Sequence, residues 1–427
     1  MKLNVQQRPG GISVLSLPQD RFTTAYITVA FAMPRTEETV AANALVPFLL
    51  RRRSAAYPDM TALNRRLYEL YGTLIDGNVT GVGDTQLLTI SMEVIRDRCA
   101  LDGETPVADA AAVLCELLFR PYLVDGVFDT EDVESEKRCM VERIRAEINE
   151  KRRLARRRCE QAMCQGEATA IPVTGTEEQV TPLTADAVTA AWKTILATAP
   201  VQIIAQGVDD PDALVQTITD EFAALGRTPS NRPVATPIAA RDLVEQTEEM
   251  ELNQCKLVLG FAGGLPANDS AIAAARLMNA LLGGTAHSLL FRHVREEQSL
   301  CYYCASSYDR YKSLLMIDSG VDLAMVDKAK TEILKQLTAI QNGEFTEAEL
   351  EDTKRSMTTH YGMIEDEQES LSAWYVGQAM MGYPIQSPTD AAKAVAALSK
   401  QDVIDVAKRF ALGCVYLLQP CAKEATV

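Results

Sequence analysis

Shifted by 217 positions, this 427-residue chain lies over itself. Phe128–Cys164 matches Phe345–Met381 without a gap, and ten of the 37 pairs are identical. They include Phe128/Phe345, Glu134/Glu351, Lys137/Lys354, Arg138/Arg355 and Met140/Met357, and Gln161-Ala162-Met163 recurs as Gln378-Ala379-Met380. Chance supplies a few such pairs but not ten in one register, so the chain is expected to build one structure twice. Its length agrees, because 427 residues exceed what one core usually serves.

Local signals mark both copies in the same places. Thr346, with Glu349 three residues on, reads as a capping box, and Phe345 can staple onto Leu350. In the first copy Asp129 caps, Asp132 takes the glutamate's place less well, and Phe128 can staple onto Val133. Tyr26–Phe31 and Lys256–Phe261 read as opening strands, Leu87–Val94 and Leu314–Val321 as a second pair, and Val201–Ile204 and Val415–Leu418 as closing strands. Each half therefore reads as a sheet covered by helices. Gly226–Ala240, with Pro229, Pro233 and Pro237, is the linker candidate. The expected domains are residues 1–225 and 241–427, joined by 226–240.

Composition narrows the functions open to such a chain. A formal net charge of −16 argues against nucleic acid and anionic membrane as partners, since both attract basic surfaces. Local basic runs stand at Arg51–Arg53 and Lys151–Arg158, and the second, among glutamates in a helical stretch, reads as a solvated or interdomain face. No apolar run approaches the roughly 20 residues that span a bilayer, and Met1–Gly10 is polar where a signal segment would be apolar. Ten scattered cysteines without an export signal suit reduced thiols in a cytosol, so a cytoplasmic protein is expected.

The segment Phe291-Arg292-His293-Val294-Arg295-Glu296-Glu297-Gln298-Ser299-Leu300-Cys301-Tyr302-Tyr303, after the turn Leu281-Leu282-Gly283-Gly284, resembles a signature of the pitrilysin/insulinase family of zinc peptidases. Leu67-Tyr68-Glu69-Leu70-Tyr71-Gly72, then Asn78, Thr80, Asp84 and Thr85, resembles that family's N-terminal domain. Phe128–Glu150 resembles the helix that delivers its last zinc ligand, so the likeness covers nearly the whole chain. The resemblance implies an α+β fold of the processing-peptidase kind: two homologous domains, each a mainly antiparallel β-sheet covered by helices. It also implies that Arg295 and Tyr302 contact the backbone of a peptide substrate.

The departures bear on activity. The family carries H-x-x-E-H on a helix, where positions i and i+4 share a face and aim two imidazoles at one zinc. In this chain the first 286 residues contain no histidine; His287, His293 and His360 are the three present. By resemblance the motif falls on Leu45-Val46-Pro47-Phe48-Leu49, with Leu45 and Leu49 for the histidines and Phe48 for the general base. The third ligand, seven residues after Glu136, falls on Arg143. Glu142 is adjacent, but one helical step turns a side chain by about 100°. The zinc site is expected to be lost, leaving no metal, no cofactor and no catalytic residue.

Each of these residues also has a plainer reading. Leu45–Leu49 alone is an apolar helix turn suited to a core, and Arg143 a surface residue or a filler of the former metal pocket. Without the resemblance, Arg295 is an ion-pair arginine and Tyr302 a half-buried tyrosine. Cys301 and Cys304 are half a zinc site with no second pair at finger spacing, so buried thiols are expected. His360, which pairs with Arg143 in the repeat, reads as a helix-surface residue. Leu281–Thr285 lacks the Lys-Ser/Thr of a phosphate loop. The expected function is a pseudopeptidase subunit, inactive alone, that binds peptide and complements a zinc-bearing homologous subunit. A peptide-binding scaffold without proteolysis and an autonomous peptidase are the rival readings.

Overall fold

The apolar runs that open each half become the inner strands of two separate sheets in the computed structural model, which describes residues 3–232 and 234–421. Pro233 of the expected linker lies outside the described residues. The first sheet contains β1 (Asn4–Arg8), β2 (Ile12–Leu17), β3 (Thr24–Pro34), β4 (Leu74–Val82) and β5 (Thr85–Ile95); a small hairpin, β6 (Leu123–Val124) with β7 (Val127–Phe128), stands apart, and β8 (Val201–Gln206) returns to the sheet. The second contains β9 (Val244–Met250), β10 (Cys255–Ala262), β11 (Cys301–Asp309), β12 (Leu314–Val321) and β13 (Ala411–Pro420).

Strand order makes the duplication visible as topology. The first sheet runs β1-β2-β8-β3-β5-β4 and the second β11-β12-β10-β13-β9. Reversed, the second order matches the first strand for strand, with β1 as an addition. Even the single parallel pairing recurs, β2 with β8 and β13 with β9. All other pairings within the two sheets are antiparallel, so the class is α+β.

The compact units are not the contiguous halves expected from the repeat. One unit is Met1–Ile144, Ile171–Val234 and Ile364–Ile385; the other is Arg145–Ala170, Ala235–Met363 and Gln386–Val427. Each thus includes one helix from the opposite half of the sequence. The reason lies in how the sheets are buried. In the first unit, Ile27, Val29 and Phe31 of β3 join one core, while Ala30 and Ala32 face Leu371, Tyr375, Val376 and Met380 of the Gln368–Met380 helix. A strand covered on both faces reads as a continuous apolar run, and the small alanines leave room for the helix.

The second unit repeats the device. Leu154, Ala155, Cys159 and Met163 of the Lys151–Met163 helix pack on Val258, Ala262, Leu314, Met316, Cys414 and Tyr416. A Cβ placed on Gly260 would sit 2.1 Å from Met163 Sδ, so the missing side chain is what lets that helix settle. Two of the identities in the repeat, Leu154/Leu371 and Met163/Met380, are therefore the residues that cover the sheets. The expected caps form as well: Thr346 N–H donates to Glu349 at 2.7 Å, Glu349 N–H donates to Thr346 Oγ1 at 3.2 Å, and Asp132 N–H donates to Asp129 at 3.2 Å.

Candidate functional site

Two places follow from the sequence, one in each unit. The first is on the Val40–Leu50 helix, every residue of which is buried. Leu45 is fully buried, Leu49 is 3% exposed and Phe48 7% exposed. β4 presses against this helix closely: a Cβ on Gly77 would lie 2.6 Å from the carbonyl oxygen of Pro47. From the neighbouring Thr130–Asn149 helix, Arg143 reaches over Phe48, its guanidinium carbon 4.2 Å from the ring centroid. Arg51 stands 5.5 Å from the same ring. So the structure brings Phe48 and Arg143 together, with Leu45 and Leu49 sealed into the core beside them.

Charge around this place is arranged in a way that sequence reading missed. Arg52 donates to Glu136 at 2.7 Å and to Asp132 at 3.2 Å; Arg53 donates to Asp132 at 2.6 Å and pairs with Asp129 at 3.3 Å. The basic run and the acidic helix start were both legible, but nothing local joined them. These atoms do not suit a divalent cation. Leucine and phenylalanine have no lone pair to donate, and Arg143 is itself a fixed cation. Among the described residues no group of three or more His, Cys, Asp or Glu could hold a metal ion.

The second place is the end of the second sheet. Leu290–Glu297 is wound as a π-helix, a geometry that recurs at functional sites. Arg295, exposed, stacks on Phe291 at 4.7 Å and reaches Glu296 only at 3.5 Å. Ser299 then takes φ +49°, and the chain enters β11, the edge strand. Cys301 pairs with Val321 and Tyr303 with Gly320, which leaves Tyr302 as the extra residue of a bulge. Bulges re-aim side chains, and Tyr302 is 66% exposed. No hydrogen bond or ring contact joins Arg295 to Tyr302 among the described residues.

Cys301 and Cys304, on either side of that bulge, are free, buried thiols. A hydrogen bond from Cys304 holds Cys301 down to about 7; burial opposes this and the Arg295 charge assists it. His287 and His360 are exposed, and His293 Nδ1 contacts Glu297 at 2.7 Å. The two edges of this sheet also differ. β9 carries Glu245, Glu248 and Glu249, which discourage another strand from pairing there, whereas β11 has no charge before Asp309.

Comparison with known proteins places the whole chain among similar sequences and folds. A family model described as the Peptidase M16 inactive domain matches residues 182–357. Over 420 residues, 97% of each chain, the sequence is 27% identical to a Bacillus subtilis (strain 168) protein described as probable inactive metalloprotease YmfF. A conserved protein from Enterococcus faecalis V583 has a crystal structure that superposes with TM-score 0.90 at 25% identity, over 99% of each chain. A peptidase M16 inactive domain from Pseudomonas fluorescens shares the fold, with TM-score 0.80 at 17% identity over 99% of each.

Proposed function

We propose that this chain, which is similar to the M16 peptidases of the pitrilysin/insulinase family and to their inactive branch without H-x-x-E-H, is a peptide-binding subunit that complements a zinc-bearing homologue. The observation that carries the proposal is an asymmetry between the two places. At the positions that resemblance gives to metal and base stand Leu45, Phe48, Leu49 and Arg143, three of them buried and the fourth stacked on Phe48. Arg295 and Tyr302 are exposed beside a sheet edge that carries no charge before Asp309. The zinc is thus lost from this chain, while the surface suited to holding an extended peptide is kept.

In this reading a peptide adds as a strand to a sheet edge, where backbone hydrogen bonds give affinity. Arg295 donates to a substrate carbonyl, and the Tyr302 ring holds the segment beside it. The homologous subunit supplies the metal chemistry, and both work in the cytoplasm. No helix among the described residues is long and apolar enough to cross a membrane. Two well-placed contacts can matter for rate, because small misplacement of a bound substrate costs orders of magnitude.

The test is reconstitution. The purified chain alone should cleave no peptide and contain no stoichiometric zinc. Mixed with a zinc-bearing homologue encoded in the same organism, it should raise peptide cleavage, and Arg295→Ala should lower the mixture's kcat/KM by roughly tenfold or more. A mixture that cleaves no better than the homologue alone would remove complementation and leave the scaffold reading.

A further inference from the structure

Arg143 is exposed, stacks on Phe48 at 4.2 Å, and takes part in no hydrogen bond or ion pair among the described residues. Its neighbours are committed elsewhere. Arg52 and Arg53 are held by Asp129, Asp132 and Glu136. Glu147, one helical turn along from Arg143, is held by Arg157 at 2.7 Å. Arg51, on the same phenylalanine ring, has one ion-pair partner, Asp76 of β4 at 3.1 Å, itself 61% exposed. An ion pair that open to water holds its partners weakly. In a chain of net charge −16, two guanidiniums sharing one aromatic ring, one of them unpaired, form a localised positive site.

We infer that Phe48, Arg143 and Arg51 form a binding site for a peptide carboxylate, built where the resemblance places the family's metal. The inference rests on the peptide-binding reading above and adds what the peptide must carry. A guanidinium lying on a ring keeps its in-plane N–H edge outward, and that edge matches the two oxygens of a carboxylate. Stacking also restrains the long side chain before binding, so less freedom is lost when the ligand arrives. β4, the edge strand of the first sheet, carries Asp76 to Arg51, so an unpaired strand edge lies next to the guanidiniums. The carboxylate can be a peptide's own C-terminus or an Asp or Glu side chain, and both present the same fork.

Fluorescence anisotropy on the full chain separates the possibilities. Three labelled pools of random nonapeptides, drawn from Ala, Gly, Leu, Phe, Ser and Lys, serve as probes. One has a free C-terminal carboxylate, one a C-terminal amide, and one an amide plus a single central Glu. We expect the free-acid pool or the Glu pool to bind roughly tenfold more tightly than the plain amide pool. The pool that gains identifies the source of the carboxylate. Arg143→Gln should erase the gain, and Arg143→Lys should restore only part of it, since a lysine keeps the charge and loses the fork. Equal binding of all three pools to the unmodified protein overturns the carboxylate site without any variant. A preference that survives Arg143→Gln, with melting unchanged, overturns it too. Failure of every pool to bind removes the peptide-binding reading, and this inference with it.

Discussion

Leu45 and Arg143 stand for two kinds of residue at one place, and truncating each should give different results. Leu45 is fully buried in the core of the first sheet. Leu45→Ala should therefore lower unfolding free energy by about 2–5 kcal/mol, the usual range for a buried leucine that leaves a cavity. Arg143 is exposed and touches Phe48 by stacking alone, so Arg143→Ala should cost only about 0.5–1 kcal/mol. Urea denaturation of the two variants measures both. If they cost the same, Arg143 is a structural plug over Phe48 rather than a group held ready for a ligand. The burial of Leu45 and Leu49 was legible in their apolarity. The contact of Phe48 with Arg143 was not, because no periodicity links residues on two helices far apart in sequence. Only the resemblance, by giving both positions to one metal, put them side by side.

At the scale of elements, strand positions were legible because alternation and apolar runs act over a few residues. Tyr26–Phe31 falls inside β3, Lys256–Phe261 inside β10, and Leu314–Val321 is β12 to the residue. What stayed hidden depends on long-range packing: the bulge at Tyr302, the π-helical turns, and the close approach of β4 to the Val40–Leu50 helix. Glycines test that approach. At Gly77 an added Cβ would meet the backbone carbonyl of Pro47 at 2.6 Å, and the helix carrying it is wholly buried. At Gly81 in the same strand it would meet side-chain rather than backbone atoms, and at a longer distance, Val173 at 3.0 Å and Arg35 at 3.1 Å. Gly77→Ala should thus cost about 1–3 kcal/mol and Gly81→Ala clearly less, as a drop in melting temperature. An equal or reversed order would mean that β4 is free to shift off the helix.

For the whole molecule, the repeat announced two similar bodies but not where each ends. The duplicated pair of helices reads as one unit, Phe128–Cys164 or Phe345–Met381, yet the contacts assign its second helix to the other half's sheet. Sequence identity cannot distinguish these arrangements, since Leu154 and Leu371 would be apolar under either. Energetics can. Without Ile364–Ile385, the first unit would open Leu15, Leu17, Ala30, Ala32, Leu87 and Ile204, all buried in the full chain, to water. An uncovered apolar sheet face of that kind is associated with dye binding and loss of fixed packing. A fragment of residues 1–240, which spans the expected first domain and its linker, should therefore bind the dye ANS and unfold without a sharp transition. Adding a synthetic peptide of residues 364–385 should suppress the dye signal and sharpen the melt, while a peptide with Leu371 and Tyr375 changed to Ser should do neither. If the fragment alone melts cooperatively with no dye bound, the contiguous domain is sufficient and the exchanged helix is dispensable to the first sheet.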